Sequence, residues 1–226
     1  YKRGIWFYRD VFDQTVKWRD ITDEERNFHW KMTEILPESE SNKFVKEHGL
    51  RKPARTHLGA IGIDGYSNNQ GGKKWGSKAS AWIGLRKANG RGPRVIGHIY
   101  GRPNEKSVLY EQVLLAAEYY GFEAGFEFNS DDYYRHFKQA GRLLYLSLFP
   151  KILIDPEKLD KTERLRGTPT TDYSLIKQVD LGMSYFENYC DEIDFEELLI
   201  DAETFDPNDR TKSDITVSFL ITNAML

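Results

Sequence analysis

Residues 59–67 read GAIGIDGYS, an apolar run that ends on a carboxylate, Asp64. Leu58, Ala60, Ile61 and Ile63 have the character of a buried strand, and an aspartate at its tip costs desolvation energy unless a cation neutralises it. Either a Lys or Arg pairs with Asp64, or the residue serves a metal ion. The neighbouring segments narrow the choice.

HLGAIGIDGYS (57–67) reads as a strand, NNQGGKKWGSK (68–78) as a Gly-rich turn and ASAWIGLRK (79–87) as a second strand. ANGRGP (88–93) is a tight turn and RVIGHIYGRP (94–103) a third strand, so the three form an antiparallel meander. Ser107 is placed to cap a helix, SVLYEQVLLAAEYYG, whose apolar residues recur at helical spacing and which Gly121 ends. FEAGFEFNS (122–130) is a fourth strand, followed by a helix over 131–141, an apolar segment LLYLSLF (143–149) and a charged loop at 155–171. A long helix is expected over 172–189, then an acidic segment at 191–201, and a last helix from near Lys212 through ITVSFLITNAM. This order predicts an α/β fold: an RNase H-like mixed sheet, three antiparallel strands and then parallel pairing, flanked by helices.

Upstream, Trp6, Trp18 and Trp30 each sit in a short aromatic, β-favouring run. They predict a small N-terminal β meander, and the polar stretch 37–54, with a proline near each end, reads as a linker. The expected division is therefore 1–54, meander and linker, and 55–226, the main domain.

The totals agree with a globular protein. The 226 residues allow one large domain with an appendage, and 39% hydrophobic with 30% charged residues give a core and a wet surface. No apolar run approaches the roughly 20 residues of a membrane helix, and none begins the chain as a signal peptide would. Tyr1 in place of an initiator Met suggests a fragment of something longer. The single Cys190 excludes internal disulfides and cysteine zinc clusters, and fits a reducing compartment. A net charge of −3 gives no bulk attraction to nucleic acid, so any DNA contact must come from local basic patches.

Three carboxylates stand out in this layout: Asp64 at the end of the first strand, Glu127 between aromatics in the fourth, and Asp214 at the start of the last helix. In an RNase H-like sheet the first and fourth strands are neighbours, and the last helix would bring Asp214 across the same end. Each acid has an ordinary alternative. An Asp after a strand serves turns, an Asp in a first helical turn faces the helix dipole, and a Glu flanked by Phe in a strand is the more unusual of the three. Together, three acids in water-poor space would repel one another. Mg²⁺ or Mn²⁺ removes that repulsion through hard oxygen ligation, and two such ions can activate water against a phosphodiester.

These segments resemble the C-terminal nuclease domain of the large terminase subunit of tailed bacteriophages. The likeness runs through IGIDGYS, GSKASAWIG, VIGHIYGRP, YEQVLLAAEYYGFEAGFEFNS and TKSDITVSFLITNAM. Its layout is most similar to terminases of crAss-like and related phages, in which a Trp-containing, strand-rich stretch precedes the nuclease. The resemblance implies an endonuclease that cuts concatemeric double-stranded viral DNA with two divalent ions. It implies Asp64 bridging both ions, Glu127 holding one and Asp214 the other. Asp206 and Asp209 lie near enough to Asp214 to compete for the third role, and Gly65 stands where the family often has Pro. It further implies a portal protein, a small terminase subunit and an N-terminal ATPase motor as partners, and the cytoplasm of an infected bacterium as location. The chain itself has no phosphate-binding G-x-x-x-x-G-K-[ST] loop; GGKKWGSK at 71–78 has the wrong spacing.

DNA contacts are expected from basic loops beside the acids: Lys73, Lys74 and Lys78, then Arg86, Lys87, Arg91 and Arg94 around the second turn. Such groups would grip phosphates without reading sequence. Arg135, Lys138 and Arg142 can share a helix face. The alternatives are another RNase H-like nuclease, such as a junction resolvase or transposase core, and a non-catalytic module docking on portal or small terminase subunit.

Overall fold

The structure, a computed structural model, describes residues 2–65, 78–88, 90–127, 132–158, 166–168 and 171–226. Strand β6 (Gly59–Asp64) is buried at every position, as expected of a strand covered on both faces. It pairs antiparallel with β7 (Ala79–Leu85), which pairs antiparallel with β8 (Arg94–Gly101). On its other side β6 runs parallel to β9 (Glu123–Phe126). The expected strand order is therefore present, in an α/β fold with a mixed sheet.

The N-terminal segment differs from a separate meander. Strands β1 (Arg3–Arg9), β2 (Val16–Asp20) and β3 (Trp30–Met32) join the same sheet, because β3 pairs with β8. The full order is β2-β1-β3-β8-β7-β6-β9, with β1 rather than β2 in the middle of the first three. The cause is apolar burial. Ile5, Phe7, Trp30 and Met32 are all buried in the cluster that also holds Val113, Leu114 and Tyr119 of helix α1 (Lys106–Tyr120). The Gln112 side chain bonds both the N–H and the C=O of Phe7, at 3.2 and 2.8 Å.

The stretch read as a linker contains a two-stranded hairpin, β4 (Phe44–Glu47) with β5 (Leu50–Pro53). His48 and Gly49 both have positive φ, 49° and 81°, which a two-residue primed turn requires. The His-Gly pair was the available signal, hidden by the polar composition around it. Helix α1 begins at Lys106 with Glu105, not Ser107, at its N-cap, and ends on Gly121 in the left-handed region.

Helix α2 is Asp132–Gln139. Helix α3 (Asp172–Tyr189) starts on a Thr171–Ser174 capping box. Helix α4 (Glu196–Glu203) covers part of the acidic segment. A 3-10 turn at Arg210–Lys212 leads into helix α5 (Asp214–Met225). The two faces of the sheet carry different cores. Ile61, Ile63 and Ile83 pack with α1, whereas Trp82 packs with Tyr185 of α3, Phe195 and Leu198 beside and on α4, and Phe219 of α5.

Candidate metal centre

Alternation along β6 puts Asp64 on the same face as Gly62, the face that α5 covers. A side chain at Gly62 would meet the Thr222 nitrogen at 2.3 Å and the Ser218 carbonyl at 2.7 Å. One at Gly125 of β9 would meet the Met225 sulfur at 2.3 Å. These glycines let the helix lie directly on the strands. Helix and strand are also of equal reach: 12 residues of α5 and six of β6 each span about 17 Å. With Met225 near the Gly59 end, Asp214 comes to the rim where Asp64 sits.

Glu127 reaches that rim through strand register. The parallel pairs Ala60↔Glu123 through Ile63↔Phe126 make Glu127, one residue past β9, the neighbour of Asp64. A parallel bridge between Glu127 and Thr168 holds the extended backbone there.

The charges of Glu127 and Asp214 both act on Asp64. Asp64, 8% exposed, has its carboxyl pushed well up by burial, then by the charges of Glu127 and Asp214, with Arg210 opposing. Burial raises Asp214 to about 6; the Lys78 backbone N–H, 2.8 Å from its Oδ2, opposes the rise and Asp201 adds to it. Glu127 Oε1 lies 3.0 Å from Arg210 Nη1. Among the described residues, no three His, Cys, Asp or Glu side chains are drawn together into a group around one point as they stand. The donor set is nonetheless all carboxylate and partly buried, with the charges of Glu127 and Asp214 opposing that of Asp64, which suits a hard divalent cation.

The first turn of α5 is pinned from several sides. Trp82 Nε1 donates to Ile215 O at 3.0 Å, and Asp201 Oδ2 accepts from Thr216 N at 2.8 Å and its hydroxyl at 2.6 Å. Ser218 Oγ donates to Ser80 Oγ at 2.6 Å, and Ser80 Oγ lies 3.1 Å from His98 Nε2. His98 is stacked on Trp82, and burial lowers its pKa to about 4, so it is neutral. Its Nδ1 faces Glu197 Oε1 at 3.5 Å. The His98 ring, with Lys31 and Lys2, holds Glu197 well below the usual carboxylate range.

The basic residues divide by position. Lys73 and Lys74 lie outside the described residues. Lys78 stands at the carboxylate rim, its Nζ 4.9 Å from the Tyr100 ring centre. Arg86, Lys87, Arg91 and Arg94 do not: Leu85 is opposite Gly59 in the register, so their turn is at the far end of the sheet, about 17 Å away along β6. Arg94 is bidentate to Glu34, at 2.7 and 2.9 Å, and Arg91 joins at 3.2 Å. Arg86 donates to the carbonyls of Met225 and Leu226. Arg142 lies beyond α2 and pairs with Glu118 instead of sharing a face with Arg135 and Lys138. Asp209 pairs with Lys212 at 3.3 Å, and Asp206 accepts from Asn208 N at 2.8 Å.

Sequence reasoning missed Arg210, Asp201 and Ser80. Arg210 carries a sequence signal, a basic residue just before an acid-bearing helix; Asp201 and Ser80 become visible only through packing.

No protein-family model matches the chain, and no curated protein matches its sequence. Among the described residues, no helix is long and apolar enough to cross a membrane.

Proposed function

We propose that this chain is the RNase H-like nuclease domain of a phage DNA-packaging terminase large subunit, a divalent-metal-dependent endonuclease. The observation that supports it is that buried Asp64 feels the charges of both Glu127, its register neighbour, and Asp214 on α5 at one rim of the sheet. Asp64 and Glu127 on the sheet and Asp214 on α5 would hold Mg²⁺ or Mn²⁺. Two such ions would supply an activated water and stabilise the leaving oxygen of a phosphodiester.

The residues of the chain contribute orientation and charge. Parallel pairing of β6 with β9 fixes the first two carboxylates relative to each other, and the pinned first turn of α5 fixes the third. Burial keeps their negative charge poorly solvated, which strengthens their attraction for a cation. Lys78 at the same rim would meet a backbone phosphate of double-stranded DNA, giving grip without sequence readout. In this reading the substrate is concatemeric viral DNA, and the portal protein, small terminase subunit and ATPase motor are the partners. The place of work is the cytoplasm of the infected cell.

The experiment is plasmid cleavage with Mn²⁺, Mg²⁺ or EDTA by the wild-type chain, Asp64→Ala and Glu127→Ala. Metal-dependent cleavage that either substitution abolishes, with folding retained by circular dichroism, is the expected result. Equal cleavage by the variants would overturn the site. Selectivity for branched DNA by a dimer would move the reading to a junction resolvase.

A further inference from the structure

The carboxylate rim contains its own cation. Arg210, on the 3-10 turn that leads into α5, places Nη1 3.0 Å from Glu127 Oε1. Both side chains are only 16% exposed. Arg210 Nε is buried with no hydrogen-bond partner, so the guanidinium is held by charge more than by a complete set of bonds. A structural arginine committed to one place makes a full fork, as Arg94 does with Glu34. Arg210 lies in the same tether as Asp214, so a shift of one is transmitted to the other.

Resting on the nuclease reading, we infer that Arg210 is a displaceable internal cation: it occupies Glu127 in the metal-free chain and is expelled when divalent ions load. A guanidinium and a divalent ion compete for the same carboxylate oxygens, and the ion brings twice the charge. The expelled guanidinium is then a fork suited to a phosphate oxygen at the rim. Metal loading and DNA gripping are thereby coupled through one side chain.

Isothermal titration of Mn²⁺ into the wild-type chain, Arg210→Met and Arg210→Lys provides the test. Removing the competing charge should tighten Mn²⁺ binding by about tenfold in Arg210→Met, while Arg210→Lys, which keeps the charge, stays near wild type. If Arg210 merely presents Glu127 to the ion, Arg210→Met should bind more weakly or unchanged, which overturns the inference.

A second measurement needs no variant. Phenylglyoxal modification of Arg210, followed by mass spectrometry, should be several-fold faster in wild-type protein with Mn²⁺ than with EDTA. An equal or slower rate refutes displacement. A wild-type chain that binds no Mn²⁺ sinks the nuclease reading and this inference together. A chain that binds Mn²⁺ and cleaves DNA, yet passes neither Arg210 test, removes this inference alone.

Discussion

Replacing Asp214 by asparagine should stabilise the metal-free protein while disabling the proposed chemistry. Burial, with Asp201 nearby, raises its carboxyl from 3.8 to about 6, against the pull of the Lys78 backbone N–H. A rise of about two pH units corresponds to ~3 kcal/mol at ~1.4 kcal/mol per unit. Asp214 is only half-buried, and solvent screening reduces the figure to ~2 kcal/mol. Asparagine also forfeits the attraction of a negative charge for the α5 N-terminus, about 0.5 kcal/mol.

The net gain is ~1–2 kcal/mol, and its sign depends on pH. The folded state binds this proton more tightly than the unfolded chain, so wild-type stability falls as pH rises from about 4 to about 6 and then levels. In EDTA at about pH 8 the variant should therefore melt ~2–8 °C above wild type by circular dichroism. At about pH 4 the gap should close. A variant that melts lower at the higher pH, or by the same offset at both, refutes the claim that Asp214 is held as an unfavourably buried charge.

Saturating Mn²⁺, at about 100 times its Kd, should stabilise wild type by ~2.7 kcal/mol and Glu127→Gln by much less, read as thermal shifts; equal shifts would remove Glu127 from the ligand set. Gly62→Ala should cost about 3 kcal/mol or more in urea unfolding, since its Cβ would meet backbone atoms of Thr222 and Ser218; a near-neutral result would mean that α5 does not lie directly on β6. Lys78→Ala should reduce the salt slope of DNA binding by about one. Arg94→Ala should leave that slope unchanged, because Arg94 is bound to Glu34 at the other end of the sheet; the reverse result would move the DNA to that end.

Much of the frame is written locally. The apolar run at 59–64, the strand-like runs ASAWIGL and VIGHIYG, and the Gly121 stop of α1 are short-range patterns, and each became its expected element. So did the helix expected over 172–189, which is α3. Asp64 and Asp214 were legible because each ends or begins such an element, and Glu127 because a carboxylate between aromatics in a strand is unusual. The basic cluster was misplaced because one-dimensional proximity to strand ends does not say which end. Arg86, Lys87 and Arg91 lie between β7 and β8 and Arg94 begins β8, and antiparallel pairing carries that turn away from Asp64.

The sequence by itself determined most of the strands and helices, the Gly121 stop of α1, and the carboxylates at the end of β6 and the start of α5. It missed the β4–β5 hairpin and put Glu127 inside a strand that ends at Phe126. Periodicity and end signals act over a few residues, so they survive without knowledge of the partner. Only the tertiary structure decided that the first three strands extend the main sheet, that α5 rests on Gly62 and Gly125, and that Arg210 faces Glu127. Those facts depend on which apolar faces find each other and on which opposite charges meet across long loops. Burial energy and Coulomb attraction are non-directional along the chain, so neither is inscribed in any single stretch of it.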